Sequence, residues 1–328
     1  AIKGLGGFHL AADALQEAAV ARLRRGKRRR SKPFALMARD LAEIRRYALV
    51  DEHEAHLLAS SAAPIFLLMT TDDALDLAPS IAPGQSALGF MLPYTPLHHL
   101  LHARLDGPIV LTSGNLTDDP QCTSNAEARE RLGLLCDGLM MNDRDIVQRV
   151  DDSVLRMSAR GPIVIRRARG LAPEPIALAL PGAPSVLALG GDLKSAAALF
   201  SGGRLTVSQH LGDLSTPLAR DDFAKMVDML LALNGARPSL IACDLHPDFH
   251  SSCVAGDLAA RFEVPCLRVQ HHHAHVLSCL ADNGITDLAE PVLGVVLDGM
   301  GLGSDGTVWG WGYNNIGQLG DGSTTTRL

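Results

Sequence analysis

The sequence predicts an α/β protein of two domains, a mixed α/β unit over residues 1–180 and a smaller unit over 185–310. Three observations lead there. At 328 residues the chain exceeds the usual size of one hydrophobic core. A hydrophobic content of 47% with only 4% aromatics, rich in Ala, Leu and Gly, suits helices packed on sheets. Short apolar runs alternate with amphipathic stretches, and the alternation is broken once, at Leu171 to Pro184. That segment carries Pro173, Pro175, Pro181 and Pro184 without a period and reads as a linker.

Ahead of the linker, Asp13 to Arg25 forms a helix by its pattern, with Asp13 placed as its cap. Pro64 to Met69 and Pro108 to Leu111 are apolar runs of buried-strand length. Behind the linker the order is more specific. Val186 to Leu189, Ala196 to Phe200 and Leu205 to Ser208 are three short strands, parted by the turns Gly190-Gly191-Asp192 and Ser201-Gly202-Gly203. A long amphipathic helix, Pro217 to Leu233, closes at Asn234-Gly235. Then come a strand, Leu240 to Cys243, a helix near Ser251 to Phe262, a strand, Cys266 to Val269, and a helix opening at a histidine run. Val292 to Leu297 reads as a last strand ending in Asp298-Gly299. Three hairpin-linked strands followed by alternating helices and strands describe one lobe of an actin-like, ribonuclease-H-type domain. From Gly306 to Arg327 the chain turns Gly/Asn/Thr-rich and matches one blade motif of the RCC1-type β-propeller. A single blade buries no face of its own, so 311–328 is not expected to fold independently.

Composition excludes several classes. A net charge of −6 argues against a general nucleic-acid or membrane-surface binder. No apolar run reaches the roughly 18–20 residues that span a bilayer, and Ala1-Ile2-Lys3-Gly4 has no signal-peptide pattern. The six cysteines include no CxxC pair, which disfavours a zinc ribbon or a disulfide framework and fits a cytoplasmic protein with reduced thiols. No nucleophile elbow and no GxxxxGK[ST] loop occurs.

Three constellations carry chemistry. In His271-His272-His273-Ala274-His275, the first and last imidazoles share a helix face and can converge on one metal ion. Asp298, at the carboxyl end of the next expected strand, would complete a two-His, one-carboxylate set suited to Fe(II) or Zn(II). The plainer alternative is a solvated helix start. Between Arg22 and Lys32, eight of eleven residues are Lys or Arg. They form either a solvated face or, ahead of Pro33-Phe34, a phosphate-handling site. Leu111-Thr112-Ser113-Gly114-Asn115 runs an apolar strand into hydroxyls and backbone N–H groups that can hold phosphate oxygens, or is an ordinary polar turn. Gly4, Gly6 and Gly7 permit close backbone approach to a ligand. Arg149, Arg166 and Arg167 either neutralise an anionic substrate or pair with Asp151 and Asp152.

Taken together, the segments IKGLGGFHLAADA, RRRSKPFALM, APGQSALGFMLPYTPLHHLL, LTSGNLTDDP and QRVDDSVLR resemble the YrdC-like domain of HypF carbamoyltransferases of [NiFe]-hydrogenase maturation. LALGGDLKSAAALFSGGRLTVSQHLGDL, ACDLHPDFHS, VQHHHAHVLSCLADNG and VLGVVLDGMGLGSDGTVWG resemble the actin-like (TsaD-like) domain of the same family, in family order. The resemblance implies a YrdC-like mixed twisted α/β domain that forms carbamoyl-adenylate from ATP and a carbamate unit derived from carbamoyl phosphate. It implies a TsaD-like domain that passes the carbamoyl group to the C-terminal cysteine of the partner HypE. On this sequence, Lys32, Ser113, Asn115 and Arg149 would act on the adenylate or its phosphates, with Lys3, Arg28 and Thr112 also binding the nucleotide. Gly190, Gly191, Asp192 and Lys194 would form a nucleotide-phosphate turn. His271, His275 and Asp298 would hold Fe(II) or Zn(II), and Mg(II) would accompany the ATP. Met300 and Leu302 stand where the family commonly has Thr and Tyr, and the resemblance ends near Trp311. The expectation is therefore a truncated member that binds metal weakly and does not complete transfer alone. Two other readings accompany it: an O-carbamoyltransferase acting on a small molecule, and a YrdC-type module that binds double-stranded RNA or serves tRNA modification. The second would show steep salt dependence through the basic block. No membrane partner is implied.

Overall fold

A computed structural model describes residues 1–71, 76–116, 119–287, 289 and 291–297, with the backbone of 301–302 and 308–309. Asp298, Met300 and the tail 311–328 lie outside the described residues. The chain divides into two compact units: 1–174 with 208–211 and 216–222, and 175–207 with 212–215 and 223–328.

The first unit is built on an eight-stranded mixed sheet. Its strands are β1 (Ile2–Lys3), β2 (Phe8–Asp13), β3 (Ala35–Met37), β4 (Ile65–Met69), β5 (Ala87–Met91), β6 (Ile109–Ser113), β7 (Val154–Ser158) and β8 (Gly161–Arg166). They lie in the order β1-β2-β6-β3-β5-β4-β7-β8. The helices are α1 (Glu17–Gly26), α2 (Leu41–Ile44), α3 (Glu52–Leu58), α4 (Pro96–His102) and α5 (Asn125–Leu132). Strand side chains alternate between faces, and both faces are covered. Phe8, Leu10, Leu36, Phe66, Phe90 and Val110 join Val20 and Leu23 of α1 in the larger core. Met37, Met91, Ile109 and Leu111 join Leu97 and Leu101 of α4 in a smaller one.

Two local readings change. Asp13 ends β2 instead of capping α1: its carboxylate accepts from the Leu15 backbone N–H at 2.9 Å and from Gln16 Nε2 at 2.8 Å, shaping the turn before a helix that starts at Glu17. The basic block does not stay on one helix face. α1 stops at Gly26, and Arg28 takes a left-handed φ of 55°. Past that point, side chains alternate between inside and outside instead of following the helical period.

The second unit holds a six-stranded sheet in the order β14-β13-β10-β11-β12-β9. Its strands are β9 (Pro175–Ala177), β10 (Val186–Ala188), β11 (Ala198–Ser201), β12 (Arg204–Val207), β13 (Leu240–Asp244) and β14 (Cys266–Val269). β9 to β12 are antiparallel neighbours, whereas β10, β13 and β14 run parallel. The helices are α6 (Pro217–Asn234), whose first turns group with the first unit, α7 (His250–Phe262) and α8 (His271–Asp282). The Pro-rich segment is not wholly a linker, because β9 lies within it. Pro175, which lacks an N–H, is tolerated there because β9 is an edge strand. The expected strand Val292 to Leu297 does not form. Residues 291–297 are irregular, β14 is the last strand of its sheet, and Val292, Leu293, Val295 and Leu297 stay exposed. A two-residue hairpin pairs β15 (Gly301–Leu302) with β16 (Val308–Trp309).

Candidate functional site

In the first unit the sequence assembles a cationic group at the end of β6. Lys27, 2% exposed, donates from Nζ to the Ser113 carbonyl at 2.5 Å and, at 2.8 Å each, to the Asn115 carbonyl and Oδ1. Ser113 Oγ donates to Asn115 Oδ1 at 2.7 Å, and Asn115 Nδ2 donates to the Asp119 carbonyl at 2.5 Å. Glycine is obligatory between them: a Cβ on Gly114 would lie 2.6 Å from the Phe8 carbonyl oxygen. Arg29 lies over the Phe34 ring at 5.0 Å, donates from Nε to the Lys32 carbonyl at 2.9 Å and from a terminal nitrogen to the Pro33 carbonyl, and reaches Thr112 Oγ1 at 3.5 Å. Arg24 stacks on the same ring at 4.5 Å. Burial, aided by the Arg29 guanidinium, pushes the Lys27 ammonium down to about 7. Burial, then Arg24, pushes Arg29 down to about 10. Two desolvated cations at a strand terminus rimmed by hydroxyl and amide groups form an arrangement that charge-assisted bonds to phosphate oxygens would satisfy.

The structure thus brings Ser113 and Asn115 together, with Thr112 buried beside them, but it chooses different cations from those the sequence singled out. Lys32 is exposed, and what it gives the group is its carbonyl. Arg28 is exposed as well. Arg149 donates to the Gln121 carbonyl at 2.7 Å and pairs with Asp222. Lys3 is buried, donates to the Asn142 carbonyl at 3.2 Å and lies 6.0 Å from the Phe8 ring centre. Lys27 and Arg29 were missed because eight cations in a row look equivalent. The available signal was Gly26, which ends the helix and starts the alternation.

Behind β6, α4 places two histidines inside. Thr95 caps the helix by accepting from the His98 backbone N–H at 3.2 Å, and Pro96 occupies its first turn. His98 and His102, four residues apart, are each 1% exposed. His98 packs edge-on to Tyr94 at 4.5 Å. Nearby, Asp152 Oδ1 accepts from Arg169 Nη2 at 2.9 Å, and its Oδ2 lies 3.5 Å from His9 Nε2. Burial alone would raise the Asp152 carboxyl, but His9 and Arg169 outweigh it and hold it well below the usual carboxylate range.

In the second unit, α8 starts with Gln270 as its cap and sets His271 and His275 on one face, Nε2 to Nε2 at 3.1 Å. Two nitrogens about 2.0–2.1 Å from one ion stand roughly 2.9–3.4 Å apart at octahedral to tetrahedral angles, so the spacing fits a shared cation. His271 Nδ1 lies 2.6 Å from Asp244 Oδ2 at the carboxyl end of β13. Among the described residues no group of three or more His, Cys, Asp or Glu side chains converges as a complete metal site. The turn after β10 lies against this histidine. A Cβ on Gly191 would be 3.7 Å from both Asp244 Oδ2 and His271 Cε1. Gly190 has φ 61° and Lys194 φ 49°, the conformations of a tight left-handed turn. Asp192 accepts from the backbone N–H groups of His250 at 2.8 Å and Ser251 at 2.9 Å, which ties the turn to the start of α7. The Lys194 backbone N–H donates to Asp213 Oδ1 at 2.8 Å. Asp244 was the residue overlooked here, although a carboxylate at the carboxyl end of a parallel strand is a recognisable signal.

A family profile of the Sua5/YciO/YrdC type, described as telomere recombination, matches residues 1–168, and one described as HypF Kae1-like domain matches 181–282. The chain is 46% identical over 313 residues to the carbamoyltransferase HypF of Rhodobacter capsulatus, covering 94% of this chain and 41% of that protein. It is 44% identical over 318 residues to its counterpart in Synechocystis, covering 97% and 40%. Among solved structures, a full-length HypF in phosphate- and nucleotide-bound form superposes with a TM-score of 0.85 at 43% identity, covering 94% of this chain and 48% of that one. HypF of T. kodakarensis gives 0.83 at 35% identity, covering 94% and 40%. The chain spans about 40% of the length of the curated relatives it matches.

Proposed function

Because the chain belongs to the Sua5/YciO/YrdC family through residues 1–168 and joins to that part a HypF Kae1-like domain, we propose that it acts in carbamoyl transfer for hydrogenase maturation. The first unit forms carbamoyl-adenylate. A carbamate oxygen attacks the α-phosphorus of ATP, the bond to the β-phosphate breaks, and pyrophosphate leaves. The observation that best supports this is the buried Lys27 ammonium on Ser113 and Asn115, with Arg29 beside it. Cations held in place before the reaction offset charge that builds on the phosphoryl oxygens, at little reorganisation cost. With carbamoyl phosphate as the carbamate source, ATP and Mg(II) complete the substrate set. The nucleotide-bound HypF structure supports ATP as the ligand.

The second unit serves the transfer itself. An acceptor thiolate, by the family resemblance the C-terminal cysteine of HypE, attacks the carbamoyl carbon and AMP leaves. His271 and His275, with Asp298 expected beside them, would hold a divalent cation, Fe(II) or Zn(II), which when bound polarises a carbonyl oxygen. The turn Gly190, Gly191, Asp192 and Lys194 is placed to approach a phosphate through its backbone.

The deciding experiment is pyrophosphate–ATP exchange by the 328-residue chain supplied with ammonium carbamate. Exchange that requires carbamate and is lost in Asn115→Ala is the expected result. A chain that binds ATP and yet shows no carbamate-dependent exchange would overturn the proposal.

A further inference from the structure

We propose that Asp244 is a positioning residue that fixes the tautomer of His271, keeping the proton on Nδ1 and the Nε2 lone pair directed at His275. This rests on the reading of His271 and His275 as cation ligands. The carboxylate is itself pinned. Its Oδ1 accepts from the His246 backbone N–H at 2.9 Å, the Asp244 carbonyl accepts from Ser252 Oγ at 3.2 Å, and the residue is buried at the end of β13. That leaves Oδ2, an acceptor only, facing His271 Nδ1 at 2.6 Å. An ionised carboxylate donates nothing, so the ring nitrogen there must carry the hydrogen. The consequence appears across the ring, where His271 Nε2 presents its lone pair 3.1 Å from His275 Nε2. A proton on His275 or a cation satisfies that pair. A carboxylate behind a ligating imidazole fixes the ring's orientation and raises its basicity. Gly191 keeps the approach open, since even a methyl group there would sit 3.7 Å from both partners.

The isosteric variant Asp244→Asn separates this role from packing. The His246 N–H still needs an oxygen, so the amide oxygen stays on that side and the NH2 turns to His271. A donor facing Nδ1 moves the ring hydrogen to Nε2, and an N–H then meets the cation in place of a lone pair. Two measurements on the full chain decide. Titration with Zn(II) alone against a chromophoric chelator is expected to show affinity about tenfold to a hundredfold weaker in Asp244→Asn, with the circular dichroism spectrum unchanged. The 15N shifts of the His271 ring are expected to report Nδ1–H in the wild type and Nε2–H in the variant. Zn(II) affinity within twofold of wild type in a folded Asp244→Asn chain overturns the proposal, as does the same His271 tautomer in both chains. Should the wild-type chain bind no Zn(II), the cation reading falls, and the 15N comparison alone decides for or against Asp244.

Discussion

Replacing Lys27 by Met tests whether this residue is retained for stability or for ligand. The side chain keeps its stem but loses the ammonium. Two opposing terms follow from its surroundings. Its ionisation falls from an ordinary 10.5 to about 7. At about 1.4 kcal/mol per pH unit, confining the charged form below pH 7 therefore costs on the order of 5 kcal/mol. Because the folded value is lowered, this penalty is complete below pH 7 and fades as pH rises toward 10.5. Against it, the Ser113 and Asn115 carbonyls each lose a donor, at about 1–3 kcal/mol apiece when buried, or about 2–6 kcal/mol together. Asn115 Oδ1 retains the Ser113 hydroxyl. The terms nearly cancel, so at pH 6 the variant is expected to stay within about 3 kcal/mol of wild type. Nucleotide affinity has no such offset. Loss of one charge-assisted bond to phosphate, about 1.5–3 kcal/mol, corresponds to roughly ten- to a hundredfold weaker binding. Hydrogen–deuterium exchange across β6 reads the first quantity, and calorimetric titration with a non-hydrolysable ATP analogue reads the second. Opening of β6 easier by more than about 5 kcal/mol, or unaltered nucleotide affinity, would refute the reasoning.

Acid should loosen the first unit in a defined window. Burial pushes the His98 imidazole from 6.5 down to about 4 and lowers His102, and neither has a hydrogen-bond partner among the described residues. The folded state therefore favours the neutral rings, and stability present above pH 6.5 is lost as pH falls toward about 4. His98 alone accounts for about 3 kcal/mol, so thermal melting followed from pH 7 to pH 4.5 should fall less steeply in His98→Leu than in wild type. Gly114→Ala should cost about 1–3 kcal/mol, because its Cβ would meet the Phe8 backbone oxygen at 2.6 Å, whereas Gly138→Ala meets nothing within 4 Å. Equal melting temperatures for the two variants would disprove the steric argument.

Much of the fold was legible because burial imposes its period on the sequence. Strands β10 to β14 and helices α6 to α8 fall where the apolar runs and the Gly turns put them. What failed depended on partners distant in sequence. Val292 to Leu297 is apolar enough for a strand, but a strand exists only where another backbone pairs with it. Asp13 has the side chain of a helix cap, yet the turn took its oxygens first. The same distinction separates the site residues. Ser113 and Asn115 could be picked out because a strand end is a local feature, and the His271/His275 pair because four residues make a helical turn. Lys27 could not be told from Arg28 without knowing where the helix unwinds. Asp244 could not be linked to a histidine 27 residues away without knowing that β13 and the start of α8 converge.

The outer edge of β14 has a practical consequence. It presents unpaired backbone N–H and C=O groups at the rim of a parallel pair, with exposed Leu267 on it and the apolar stretch 292–297 left unpaired. An uncovered strand edge is a template for any extended backbone, including that of another copy. Solutions of this chain are expected to be adhesive in proportion to their concentration. Affinities taken at high protein load would then describe clusters, and only dilution series would describe the single molecule.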